Sequence, residues 1–177
     1  MKILLHSCCA PCLTGCMITL GQEKPDLFWY NPNIHPYTEY CSRRDSLITL
    51  AKEEKLELIM EDEYGLRDFL RANTNTMPPE RCEYCYRLRL KKTAQRAAEN
   101  GYGAFSTTLL ISPHQNHDLI HQIGEEYAHE YGIEFFYKDF RPWFREGQKK
   151  ARERNSYMQK YCGCIFSEEE RYIKNVQ

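Results

Sequence analysis

Seven cysteines in three short motifs carry the chemistry open to this sequence: Cys8, Cys9 and Cys12 in HSCCAPC, Cys82 and Cys85 in RCEYCYRLRL, and Cys162 and Cys164 in YCGC. Thiolates are ligands of zinc and of iron–sulfur clusters. Cys82 and Cys85 are spaced i, i+3, which puts both sulfurs on one helix face as metal-binding C-x-x-C pairs do. Adjacent Cys8 and Cys9 need a turn in the chain before both can face one site. Gly163 lets the backbone bend close to whatever its flanking sulfurs hold. One tetrahedral zinc or one 4Fe–4S cluster takes four ligands. Seven thiols therefore exceed one centre, so either some are passengers or two metal centres share a crowded pocket. A lone zinc pinning the C-terminal tail would be expected to show matched C-x-x-C pairs, a poor match to adjacent cysteines and a C-x-C. A C-x-x-C disulfide redox site would use two thiols and leave five unexplained. Cys16 and Cys41 stand alone and read as small buried residues. His117 and His121, spaced i, i+4 on an otherwise polar helix face, read as ordinary surface residues.

A chain of 177 residues buries roughly 70% of its unfolded surface on folding. It needs no disulfide staple, so nine cysteines are a surplus. Ile3-Leu4-Leu5 falls short of a signal-peptide core, and no run approaches the ~18 apolar residues of a membrane span. The expected compartment is the cytoplasm, where reducing conditions favour metal or redox roles for clustered cysteines. The net charge of −1 hides two basic runs. Arg81, Arg87, Arg89, Lys91, Lys92 and Arg96 face only Glu83, and Arg141, Arg145, Lys149, Lys150, Arg152 and Arg154 face Glu146 and Glu153. Both adjoin cysteine motifs, which points to a polyanionic substrate such as nucleic acid.

The elements that must position these groups alternate. Lys2 to His6 reads as a strand buried on both faces, and Leu27 to Tyr30 as a second, closed by NPNIHP. Residues 10 to 21 and 38 to 56 read as helices, 56 to 60 as a third strand, and 82 to 100 as a strong helix ended by Gly101. YGAFSTTLLIS supplies a fourth strand, Asn116 caps a helix through Tyr131, and IEFFYKDF makes a fifth strand. The pattern predicts an α/β fold: a doubly wound, mostly parallel five-stranded, Rossmann-like sheet with ligands beyond the carboxyl ends of its strands. Residues 1–177 form a single domain, in which a helical extension over 141–177 returns Cys162 and Cys164 to the site.

In order and spacing, HSCCAPC, NPNIHP with the following EY and RR, RCEYCYRLRL, FSTTLLISP and YCGCIFS resemble the QueH family of epoxyqueuosine reductases, from residue 3 to about 171. The resemblance implies a sheet of the adenine-nucleotide hydrolase/PP-loop type. It also implies cobalamin-independent reduction of epoxyqueuosine to queuosine at the wobble position of tRNAs with GUN anticodons. The cofactors it implies are a 4Fe–4S cluster and an additional mononuclear iron, with zinc possible in the iron's place. Carried onto this sequence, the ligand positions are Cys8, Cys9, Cys12, Cys82, Cys85, Cys162 and Cys164. An iron with an open position can polarise a C–O bond, and a reduced cluster can supply electrons one at a time; an external donor such as ferredoxin or flavodoxin would feed it. By position, Asp139 and Tyr161 are the candidate proton donors. Ser106, Thr107 and Thr108 lie at a strand end, within reach of a substrate there. Arg43, Arg44, Arg87 and Arg89 are candidates for tRNA phosphates, and Trp29, Tyr30 or Tyr37 for stacking a splayed base. Two other readings compete: an iron–sulfur-dependent tRNA thiolase or ATP pyrophosphatase of the same fold, and a zinc-bound RNA-binding module. The first would place a glycine-rich phosphate loop after the first strand, and SCCAPC has no glycine.

Overall fold

The computed structural model describes residues 2–20, 23–76 and 80–173. Five parallel strands, β1 (Ile3–His6), β2 (Asp26–Trp29), β3 (Leu58–Met60), β4 (Ala104–Thr107) and β5 (Glu134–Phe135), lie in the order β3-β2-β1-β4-β5. The central β1 is buried throughout, as its unbroken apolar run requires. Leu5 pairs with Leu27 on one side and Ser106 on the other, and His6 with Phe28 and Thr107. The chain moves outward from β1 to β3, then returns to β4 on the other side. The loops after β1 and β4 therefore open at the point where strand order reverses.

Helices α1 (Ala10–Leu20) and α2 (Tyr37–Glu54) belong to the first half, followed by the short α3 (Leu66–Asn73). Helices α4 (Glu80–Glu99) and α5 (His117–Tyr131) pack on each other, and α4 also covers β1 and β4. Gly101 takes a φ of +72° just past α4, and the Asn116 side chain accepts from the Leu119 N–H at 3.1 Å to start α5. Two helices close the chain, α6 (Phe144–Glu153) and α7 (Ile165–Tyr172). α6 docks on α1, and a Cβ on Gly147 would come within 2.5 Å of the Gly15 Cα. Two bare backbones are what allow this approach.

Three expectations change. The fourth strand stops at Thr107, because its side chain accepts the Leu109 N–H at 3.2 Å and turns residues 108–111 into a 3-10 helix. The fifth strand keeps two residues: with β4 ended, the segment beyond Phe136 has no neighbour to pair with. The sequence assigns no element to Leu66–Asn73, yet it folds as α3, with Phe69 beneath Cys85 and Cys164.

His6 braces the sheet where it carries the cysteine loop. Thr107 Oγ1 already accepts from Leu109, so its hydroxyl proton goes to His6 Nδ1 at 3.0 Å, while Nε2–H faces the Asn31 carboxamide oxygen at 3.1 Å. The imidazole is fully buried and neutral, its pKa lowered to about 4 chiefly by burial.

Candidate metal centre

β1 ends at His6 and α1 begins at Ala10, so Cys8 and Cys9 occupy the turn between them and Cys12 sits in the first helical turn. That turn resolves the conflict between adjacent side chains. The three thiols come within 4.8 Å of one another, buried to 6%, 1% and 6% exposure. Cys8 and Cys9 Sγ are 3.9 Å apart, which matches the roughly 3.8 Å that a tetrahedral ion with 2.3 Å metal–sulfur bonds imposes. The Cys12 backbone N–H donates to Cys9 Sγ at 3.4 Å, and the Cys8 N–H reaches Thr108 Oγ1 at 3.4 Å across the strand reversal. Hydrogen bonds from Cys12 and Cys9 hold the Cys8 thiol well below the usual range. Burial pushes Cys9 up, and hydrogen bonding to Cys8 pushes Cys12 up. Hydrogen bonding thus favours the thiolate at Cys8 and the thiol at Cys12, and burial favours the thiol at Cys9.

Cys82, Cys85, Cys162 and Cys164 form a second neighbourhood. Burial raises the Cys82 and Cys85 thiols, and both also feel the charges of Cys162 and Cys164. Among the described residues, only Cys8, Cys9 and Cys12 are gathered closely enough for a single ion. A four-iron cluster bonds its thiolates to different irons, a wider spacing than one ion allows. Cys8 and Cys12 share one cleft of about 310 Å³ with Cys162, Thr108, Gln115, Gln159 and Tyr161. Gln159 Nε2 donates to Cys9 Sγ at 2.9 Å, and Gln115 Nε2 to Cys162 Sγ at 3.4 Å.

This order of motifs has a known counterpart. Residues 3–170 match the family described as epoxyqueuosine reductase QueH. The chain is 39% identical over 176 residues to an epoxyqueuosine reductase QueH of Dehalococcoides mccartyi, covering 98% of this chain and 96% of that protein. It is 36% identical over 184 residues to the one of Thermotoga maritima, covering 99% and 94%. The chain belongs to the QueH family. Among solved structures, a deacetylase from the biosynthesis pathway of teicoplanin aligns with a TM-score of 0.51 at 13% identity, over 88% of this chain and 84% of that one. That likeness carries the α/β fold and does not single out the PP-loop type.

For a QueH chain, several residues stand elsewhere than their sequence suggested. Arg43 is 1% exposed: it pairs with Glu39 at 2.6 Å and donates to the Tyr161 and Cys162 carbonyls, both at 2.9 Å. Arg89 is 3% exposed. Neither is a surface phosphate contact, because α2 and α4 turn these positions inward. Arg44 pairs with Asp45 and Asp62, and Arg87 with Glu83 and Glu126. Asp139 is held by both oxygens on Arg141, which lowers its pKa to about 2, so it carries no proton to give at neutral pH. Tyr161 lines the cleft, with its hydroxyl donating to the His35 carbonyl at 2.6 Å. His117 is buried rather than on the surface, bonded to the Ser112 carbonyl at 3.1 Å; Cys16 is buried and Cys41 half-buried. Trp29 is core, bonded to the Tyr40 hydroxyl, Tyr30 is buried, and Tyr37 is 56% exposed. Sequence reasoning passed over Gln115 and Gln159. An isolated glutamine carries no motif, and only folding puts these two on sulfur.

The YCGC loop is fixed from three directions. Besides the Arg43 bonds, the His35 N–H donates to the Gly163 carbonyl at 2.7 Å, and His35 Nδ1 accepts from the Ile165 N–H at 3.2 Å. Gly163 sits at φ +148°, and a Cβ there would meet Arg43 Nη1 at 3.3 Å. Replacing Arg43 with Met removes both loop contacts and strands Glu39 in the interior. The expected cost is about 3–5 kcal/mol in urea unfolding, and a loss no greater than that of an exposed pair, under about 1 kcal/mol, would refute the anchoring role.

A pH effect follows from His35, whose pKa burial lowers to about 4 from 6.5. Protonating Nδ1 would cost the bond from Ile165. Because the unfolded chain takes up the proton more readily, this contribution is complete above pH 6.5 and is lost as pH falls toward 4. The Tm of the metal-free protein should therefore drop between those values, and because His6 is lowered to about the same value, His35→Gln should shrink the drop without abolishing it; a His35→Gln profile parallel to the parent's would remove His35 as a source.

Proposed function

We propose that the chain is a cytoplasmic epoxyqueuosine reductase that removes the epoxide oxygen from epoxyqueuosine at the wobble position of tRNAs with GUN anticodons. The observation carrying this reading is the single cleft that has Cys8 and Cys12 on one wall and Cys162 on the other. The reaction consumes two electrons and two protons, converting an epoxide to an alkene and water. The donor set fits metal: three buried thiols stand at single-ion spacing, with the Gln159 amide already turned on them. In this reading Cys8, Cys9 and Cys12 would hold the mononuclear ion, and Cys82, Cys85, Cys162 and Cys164 the 4Fe–4S cluster. When bound, these groups would supply single electrons, drawn from an external donor such as ferredoxin or flavodoxin, and a Lewis acid for the C–O bond.

The chain's own residues do the rest. A loop nucleotide can be splayed out without opening a duplex, and the cleft takes it in against Phe144 and Leu109, away from bulk water. Thr108, Ser112 and Gln148 line the same space and offer hydrogen bonds to its polar edges. Lys160 and His114, exposed at the rim, meet the phosphates. Burial raises the Tyr161 pKa above its ordinary value, so Tyr161 keeps its proton at neutral pH and, released from His35, donates it to the departing oxygen. No helix among the described residues is long and apolar enough to cross a membrane.

Anaerobic reconstitution with iron and sulfide should give a brown protein that converts epoxyqueuosine-tRNA to queuosine-tRNA with a chemical reductant, scored by nucleoside mass spectrometry. A reconstituted protein that leaves the epoxide intact would overturn the assignment. Tyr161→Phe should lower the single-turnover rate by about 10²–10⁴-fold with iron content unchanged; an undiminished rate would exclude Tyr161 as the donor.

A further inference from the structure

Four fully charged side chains are buried among the described residues: Glu39, Arg43, Arg81 and Arg89. Two of the arginines are neutralised within the protein, Arg43 by Glu39 and Arg81 by Glu170, each at 2.6 Å. Arg89 differs. It has no carboxylate within 4 Å among the described residues, and its one hydrogen bond there runs from Nε to the Cys85 carbonyl at 2.9 Å. A buried cation without an anion is strongly destabilising, so the fold keeps this one against a cost.

The anions within its reach are thiolates. Arg89 lies one turn beyond Cys85 and two beyond Cys82 on α4, and α4 packs against β1, whose carboxyl end leads into Cys8. Its charge favours the thiolate chiefly at Cys85 and to a smaller extent at Cys82 and Cys8, with Arg81 acting beside it at Cys82 and Arg43 at Cys9. Arg43, also charged and buried, is committed to Glu39 and to loop carbonyls. Arg89 is therefore the one of the three buried arginines with no carboxylate partner among the described residues.

We propose that Arg89 is the shared counter-cation of the two thiol groups: metal-bound thiolates neutralise it, and it in turn raises the reduction potential of the iron–sulfur centre held by Cys82, Cys85, Cys162 and Cys164. This rests on the reading of those cysteines as metal ligands and adds to it the residue that sets how easily the centre accepts an electron. Reduction adds negative charge, and a fixed cation in a low-dielectric site favours the reduced form. Arg89 touches no reacting atom in this scheme; it acts through the metal centre.

The test is an anaerobic redox titration of reconstituted wild-type, Arg89→Met, Arg89→Lys and Lys91→Met proteins, followed by visible absorption and electron paramagnetic resonance, with iron quantified in each. Lys91 is an exposed α4 residue paired with Glu130 and serves as the control. Arg89→Met should shift the reduction equilibrium at least tenfold toward the oxidised form, about 59 mV for a one-electron couple. Arg89→Lys should recover at least half of that shift, and Lys91→Met should leave the potential where it was. An Arg89→Met protein with full iron and the wild-type potential overturns the proposal. If Arg89→Met fails to hold iron, Arg89→Lys decides. Iron retained there at near wild-type potential upholds charge as the requirement, whereas iron lost there too overturns it, since guanidinium shape rather than charge would then matter. A wild-type protein with no iron–sulfur absorption removes the reductase reading itself, a result separate from any shift between variants.

Discussion

The buried pair of Arg43 and Glu39 decides whether there is a site at all. The cysteine motifs are far apart in sequence, and loop closure over such distances costs entropy that no single short loop recovers. Arg43 recovers it locally: one guanidinium meets a carboxylate and two successive carbonyls of the C-terminal loop. Glu39 also receives the Tyr157 hydroxyl, so the same carboxylate holds the approach to that loop. A planar group with five donors in fixed directions can do this, and a lysine could not. The outcome is that α2, which contributes no ligand, determines where Cys162 and Cys164 lie.

Much of this was legible in the sequence, and its gaps have physical causes. The succession of strands and helices follows from alternating apolar runs and helical periods, and the end of α4 and the start of α5 from Gly101 and Asn116, whose local chemistry acts without tertiary help. The short β4 and β5 were not legible. Thr107 has good strand propensity, but in place its hydroxyl serves the backbone of Leu109 and the ring of His6, and the ladder ends there. For the site, the cysteine types and spacings marked out the candidate ligands as a set, whereas the gathering of Cys8, Cys9 and Cys12 into a tight trio depends on distances that spacing does not encode. The arginines misled for a related reason. A basic run reads as a solvated face, yet α4 turns Arg87 outward to Glu126 and Arg89 inward, two positions apart and so on different sides of the helix. The one local sign of a buried role was Glu39, four residues before Arg43.

Placing the trio at the carboxyl end of β1 and the quartet on α4 and the terminal loop gives the two groups different neighbours. The trio sits at the point where strand order reverses, with Thr108 supplied by β4's own exit and the first turn of α1 offering a backbone N–H to Cys9. Thr108 accepts from the Cys8 N–H and the Cys12 N–H donates to Cys9, so both contacts are set by the exit of β4 and the first turn of α1. The quartet is shared between Cys82 and Cys85 on a long helix and Cys162 and Cys164 on a loop held by the Arg43 guanidinium and by the backbone and ring of His35. Metal binding contributes to folding free energy where the site is otherwise loosely assembled. In the proposed reading the trio would take its ion on a turn tied to the sheet, and the quartet would take its cluster between a helix and a loop that Arg43 and His35 already hold.

This asymmetry bears on substrate entry. Gln159, Lys160, Tyr161 and Cys162 both line the cleft and belong to the segment leading to the quartet's last ligands. In the proposed reading, a nucleotide entering beside Cys8 would meet the segment that leads to Cys162 and Cys164. Gln159 connects the two consequences: its amide already donates to Cys9, while its carbonyl oxygen is buried without a donor. An unmet acceptor at that place is costly unless something brings a proton to it. A ligand in the cleft that offered this oxygen a hydroxyl or amide donor would satisfy it and hold the segment against the trio, which would couple substrate binding to the order of the candidate metal site.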